Sequence, residues 1–104
     1  MSSSKYDYEG PKAKKVFLTA DRLTFELTDG RSISAPLTWY PRLHKGSRAE
    51  RAKWRLIGRG IGVHWPDLDE DISVENVLLG HPSGESQRSF KKWLAGRNTK
   101  SALH

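Results

Sequence analysis

The sequence predicts a small α+β domain. An antiparallel β-meander of about four to five strands packs on one central α-helix, and a short C-terminal helix follows. Three observations carry that reading. Leu23, Phe25 and Leu27 alternate with Thr24, Glu26 and Thr28, the period of two that a half-buried strand requires. Asp29-Gly30 follows at once and signals a type I′ hairpin turn, which needs positive φ at both central residues. Ser47-Arg48-Ala49-Glu50 fits a capping box, in which the serine caps a backbone amide and the glutamate reaches back.

The elements follow in order. Residues 1–13 read as a flexible N-terminal arm that ends near Gly10-Pro11. Residues 14–80 form the single α+β domain. It opens with a short strand over Lys14–Ala20 and turns at Asp21-Arg22. The alternating strand and Ser32-Ile33-Ser34-Ala35 then complete a three-stranded meander, ended by Pro36, which has no N–H to donate. A helix is expected from about Arg48 to Leu56, with Ala49, Ala52 and Leu56 on its apolar side and Trp54 and Ile57 close by. Gly58 is expected to cap it. Gly58, Gly60 and Gly62 follow a helix and precede a strand, the reverse of a phosphate-binding loop, so nucleotide binding is not read from them. Ile61–Trp65 is a further strand, stopped by Pro66. Ile72–Leu79 is a strand or a single helical turn, which an Asp of the preceding loop would cap, closed by Gly80. Residues 81–104 are a basic C-terminal extension. Within it Ser89–Ala95 suits a short amphipathic helix, followed by a frayed tail from Gly96.

Length and composition bound the function. A chain of 104 residues is one domain, and the absence of cysteine excludes disulfides and zinc–thiolate sites. No apolar run approaches a membrane span and no secretory signal opens the chain, so no membrane role and a cytoplasmic location are expected. Net charge is +6, and the ends carry it: residues 1–15 hold +2, residues 84–104 hold +4, and residues 16–83 balance. The balanced middle is polarised. Residues 41–60 sum to +6 and residues 61–83 to −5. Either the two segments neutralise each other, with Arg51 or Arg55 against the acids after Pro66, or the basic one is a surface for an anionic partner.

Catalytic constellations are thin. There is no Gly-x-Ser-x-Gly elbow, and His44, His64, His81 and His104 have no evident serine and orienting acid beside them. His64 with Asp67, Asp69, Glu70 and Asp71 gathers oxygen ligands suited to Mg²⁺ or Ca²⁺, but the calcium-loop spacing and glycine are missing. Neither a metal nor another cofactor is therefore expected. Trp54 and Trp65 are assigned to the core, Trp39 and Tyr40 to a partly exposed position. Arg88, Lys91 and Lys92 with Phe90 and Trp93 suit phosphate neutralisation plus stacking, or docking on a protein groove.

The runs Leu27-Thr28-Asp29-Gly30-Arg31-Ser32-Ile33, Pro36-Leu37, Tyr40-Pro41-Arg42-Leu43 and Glu50-Arg51 with Trp54 stand in order before Gly60-Ile61-Gly62-Val63-His64-Trp65-Pro66-Asp67-Leu68-Asp69-Glu70-Asp71-Ile72. Together they resemble the bacterial family named Domain of Unknown Function 2442, over about residues 15–80. The run from His64 to Ile72 is the most specific part. The resemblance implies a small bacterial or phage α+β domain without defined catalytic residues. It also implies a gene often placed beside another small protein, as in a toxin–antitoxin pair.

The expected function is a non-enzymatic regulatory or interaction module, antitoxin-like, that binds a small partner protein. Its candidate contacts are Arg48, Arg51, Arg55, Arg59, Arg88, Lys91, Lys92 and Trp93. The alternative is direct nucleic-acid binding through segments 42–59 and 88–100. A weaker alternative is a metal-dependent enzyme at His64 and the acidic loop.

Overall fold

A computed structural model of the chain describes residues 8–102. Strands β1 (Ala13–Leu18), β2 (Arg22–Leu27) and β3 (Ser32–Pro36) form one antiparallel sheet in the order β1-β2-β3. Its register sets Val16 beside Phe25 and Ile33, and Leu18 beside Leu23 and Ala35. That face is the core face. The opposite face carries Lys15 beside Glu26, and Phe17 beside Thr24 and Ser34, whose hydroxyls bond at 2.7 Å.

The hairpin turn differs from the expected type I′. Gly30 takes φ +91, but Asp29 stays at negative φ and accepts the Arg31 N–H on its side chain at 3.0 Å. Gly30 N–H donates to Leu27 C=O and Leu27 N–H to Arg31 C=O, the pattern of a type I turn closed by a glycine bulge. The aspartate's bond to the backbone holds it where a type I′ turn would not.

After β3 the chain makes a 3₁₀ turn at Leu37–Trp39 and a short helix α1 (Pro41–Lys45), with proline at its first position. Leu37, Tyr40 and Leu43 are buried, so Tyr40 belongs to the core and is not the partly exposed residue expected; Trp39 is half-buried.

The single meander on a central helix is not what forms. The capping box is present, with Glu50 N–H donating to Ser47 Oγ at 3.1 Å and Ser47 N–H to Glu50 Oε1 at 2.8 Å. Yet helix α2 ends at Ala52, and Lys53 turns to φ −93, ψ 96. None of its residues is buried: two alanines offer too little apolar area to hold a longer helix on the core. Residues Arg55–Ile57 become strand β4 instead, and Leu56 pairs with Val63 of β5 (Gly62–Trp65). With β6 (Glu70–Ser73) these form a second three-stranded antiparallel sheet, β4-β5-β6. Trp54 lies half-buried at the edge of the core.

Gly58 therefore caps no helix; it opens a 3₁₀ turn, Gly58–Gly60. Gly60 takes φ +95, and a Cβ there would stand 2.4 Å from the Ala13 carbonyl oxygen. The 3₁₀ turn between β4 and β5 passes the start of β1 with only a hydrogen's room. A turn at Pro66–Asp69 leads into β6, and helix α3 (Val74–Leu79) follows it directly. Ser73, not an Asp, caps α3 by accepting the Asn76 N–H. Gly80 at φ +78 closes it, with His81 N–H donating to Asn76 C=O. Helix α4 (Gln87–Ala102) continues past Gly96, so the helix is longer than the sequence reading allowed.

One core joins both sheets. Leu23, Phe25 and Leu27 come from the first, Val63, Trp65 and Ile72 from the second, and Leu37, Leu43, Leu68 and Val74 fill between them. Trp65 is wholly buried, and its indole N–H donates to the Arg51 carbonyl at 3.1 Å. Trp65→Phe removes that donor and part of the ring. We expect a loss of about 2 kcal/mol, read as a lower urea midpoint with an unchanged m-value. Gly60→Ala is expected to cost more than about 1 kcal/mol, because neither the φ nor the Ala13 backbone can yield cheaply.

Candidate functional site

Apart from Arg31, which meets Asp29 beside it in the hairpin turn at 2.8 Å, three basic residues pair with carboxylates. Arg42 of α1 forms a forked pair with Glu85, Nη2 to Oε2 at 2.6 Å and Nε to Oε1 at 2.9 Å, and reaches the Asp69 carbonyl at 3.1 Å. Arg97 of α4 pairs both carboxylate oxygens of Glu50 at 2.8 and 2.9 Å. Lys53 meets Asp67 at 3.2 Å. Trp93 lies half-buried between the first two, with the Arg42 guanidinium 5.0 Å and the Arg97 guanidinium 4.7 Å from its ring, and Phe90 stacked alongside. These contacts hold α4 across α1 and α2.

Arg51 is half-buried and pairs with no described acid. Its Nε donates to Leu43 C=O at 2.8 Å and its Nη2 to His44 C=O at 2.7 Å, satisfying carbonyls at the end of α1. Arg48, Arg55, Arg59, Arg88, Lys91 and Lys92 are exposed and form no ion pair with any described residue. On α4 the inner stripe is Phe90, Trp93, Leu94 and Arg97; the outer one is Arg88, Lys91 and Lys92. The mutual neutralisation weighed above thus engages Arg42 and Lys53, while Arg51 and Arg55 stay clear of the acids after Pro66.

Two concavities flank this arrangement. A trough of about 630 Å³ runs between the outer edge of β1 and α2, lined by Val16, Phe17, Leu18, Arg48, Arg51 and Trp54 among others. Phe17 is 49% exposed, although it stands on a strand. A second cleft of about 410 Å³ is lined by Tyr40, Arg42, Glu70, His81, Glu85 and Ser89 among others.

The second cleft holds a perturbed carboxyl. Burial pushes Glu70 up to about 7; the Asp71 N–H and the Arg42 charge oppose that, and the charges of Glu85 and Asp71 add to it. Its Oε2 is enclosed and has no hydrogen-bond partner among the described residues. Burial, with the Glu70 charge beside it, pushes Tyr40 up to about 12. The opposite case is Glu50, which the Arg97 guanidinium, against the effect of burial, holds down at about 2.

The five oxygen and nitrogen ligands weighed for a metal do not converge. Asp67 turns to Lys53, Asp69 to Arg42, Glu70 into the core side of the cleft, and Asp71 to the His64 ring. His64 stands between Arg55 and Asp71 across the three strands of the second sheet. Among the described residues no three His, Asp or Glu side chains are placed to hold one ion. None of their helices is long and apolar enough to cross a membrane.

Sequence reading did not find the Arg42–Glu85 and Glu50–Arg97 pairs. Glu85 is the lone acid in the basic extension, and that isolation was the available signal. The trough left no linear signal, because its walls come from segments about thirty residues apart.

The model of the family described as "Protein of unknown function (DUF2442)" matches residues 13–83. A crystal structure of a protein of unknown function from Rhodospirillum rubrum ATCC 11170 is similar, with a TM-score of 0.64 and 23% identity, over 76% of this chain and 98% of that one. That likeness extends to the fold. No curated protein matches the chain. The chain belongs to the DUF2442 family.

A folded-state value near 7 for Glu70, against 4.5, means that the native protein binds the extra proton between those pH values, so stability falls as pH rises through that window. The full difference corresponds to roughly 3 kcal/mol. Glu70→Gln cannot ionise. Its urea midpoint is expected to stay flat between about pH 5 and 8 where the parent's declines, and to lie above the parent's at about pH 8.

Proposed function

We propose that this member of the DUF2442 family is a non-enzymatic interaction module that binds a small, acidic partner protein through its free basic face. The observation that carries this reading is the sorting of the cations. Arg42, Lys53 and Arg97 are consumed by carboxylates, whereas Arg48, Arg55, Arg59, Arg88, Lys91 and Lys92 stay exposed and unpaired with any described residue. Exposed single-sign charge steers an oppositely charged partner and favours fast association. An antitoxin-like or accessory role is the finer form of the proposal, and the partner it names is the product of an adjacent small gene.

Co-expression with that product tests it. A stable complex is expected at low salt. Arg48→Glu with Arg55→Glu, or Arg88→Glu with Lys91→Glu and Lys92→Glu, should weaken it about tenfold or more, mainly through slower association. A complex indifferent to both charge reversals, or none at all, overturns the reading. Titration with duplex DNA is the counter-experiment. A fall of log K with log salt at a slope near −4 to −5, the signature of about five phosphate contacts, would replace the protein partner with nucleic acid.

A further inference from the structure

We propose that the trough beside β1 takes up an extended, acidic segment of a partner protein as a fourth strand of the first sheet. The proposal rests on the interaction reading above and names the site and chemistry of contact.

The outer edge of β1 is free of described strand partners. In an antiparallel ladder, residues that exchange both hydrogen bonds with their neighbour alternate with residues whose peptide groups turn the other way. Thr19 N–H donates to Arg22 C=O at 3.0 Å, which puts Phe17, opposite Thr24, among the inward-bonded positions. Val16 and Leu18 therefore turn N–H and C=O to the outer edge, and no described residue beyond β2 bonds to those groups.

This edge is guarded over half its length only. Exposed edges are ordinarily blunted by lysine and by bulges. Lys14, Lys15 and the register shift between Ala13 and Lys15 do that for the first half of β1. The half that borders the trough carries neither device, and exposes Phe17 instead.

Charge then selects the occupant. The opposite wall presents Arg48, Arg51 and Trp54. Arg51 spends two donors on carbonyls, which leaves its charge uncompensated. Glu50, next in sequence, is turned to Arg97, and Asp21, which accepts from the Thr19 hydroxyl, is not among the residues that line the trough. An entering strand of about five residues spans roughly 17 Å and would set acidic side chains against the arginines. A strand edge offers alternating donors and acceptors. Another peptide backbone satisfies both, and a phosphate chain, which only accepts, does not.

The probe is an acetylated, amidated peptide of alternating valine and glutamate, seven residues long, added to the full chain. Amide exchange by NMR is expected to slow at Val16 and Leu18 on its addition. A lysine-for-glutamate peptide should not bind. Leu18→Pro removes an outward N–H without removing a bond to β2, and should weaken the peptide about tenfold. Arg48→Glu, at an exposed position, should weaken it similarly and guards against misfolding of the proline variant. Three results overturn the proposal: no peptide binding up to about 1 mM (a free energy of about −4 kcal/mol), binding without protection of Val16 and Leu18, or affinity unchanged by both variants. If the partner complex is lost on charge reversal while these amides stay unprotected, the strand-addition proposal fails and the interaction reading stands. If the peptide protects the edge but the complex ignores charge reversal, the reverse holds.

Discussion

The indole of Trp65 is the point on which the architecture turns. It is the largest of the wholly buried side chains, and it comes from the central strand of the second sheet. Its ring lies in the core that the two sheets share, and its one polar atom must find an acceptor there, since an unmet buried donor costs more than a hydrogen bond contributes net. The acceptor is the Arg51 carbonyl at the end of a helix too short to bury anything itself. Thus α2 is fixed by an apolar residue fourteen positions later, and the Arg51 side chain, so placed, ties off α1.

From that anchoring the surface follows. Once α2 is set, Glu50 faces α4 and draws in Arg97, while Arg42 on α1 draws in Glu85. Trp93 is clamped between the two guanidiniums and brings the C-terminal helix onto the domain. The cations left over are those that no described carboxylate reaches. The same placement leaves a gap between α2 and β1, so that a half-guarded strand edge faces an arginine-bearing wall.

Glu70 shows how burial and charge compete within one site. Its carboxyl lies near two acids and one arginine that is already engaged, and removal from water outweighs the arginine's help. Glu50 has the reverse balance, because a forked arginine is dedicated to it. Two glutamates of one small domain are thereby pushed in opposite directions, one by burial and the other by a dedicated arginine.

Local chemistry was legible in the residues: the first meander from its period of two, the capping box from Ser47 and Glu50, the family from the run His64 to Ile72. The exposed cations Arg48, Arg55, Arg59, Arg88, Lys91 and Lys92 were also named from charge alone. What misled was Arg48–Ile57, where Ala49, Ala52 and Leu56 carry a helical spacing. Spacing reports which residues share a face only if the chain stays helical, and the pairing of Leu56 with Val63 won over a helix with almost nothing to bury. Likewise Tyr40, Glu70 and the trough depend on contacts between distant segments. Legible from neighbouring residues were the α+β class, the first meander with its turn at Asp29-Gly30, the Ser47–Glu50 capping box and the surplus of positive charge, because each follows from local composition and spacing. That there are two sheets, which cations stay free and which strand edge stays open are matters of the fold, because they depend on what arrives from elsewhere in the chain to bury a side chain or meet a charge.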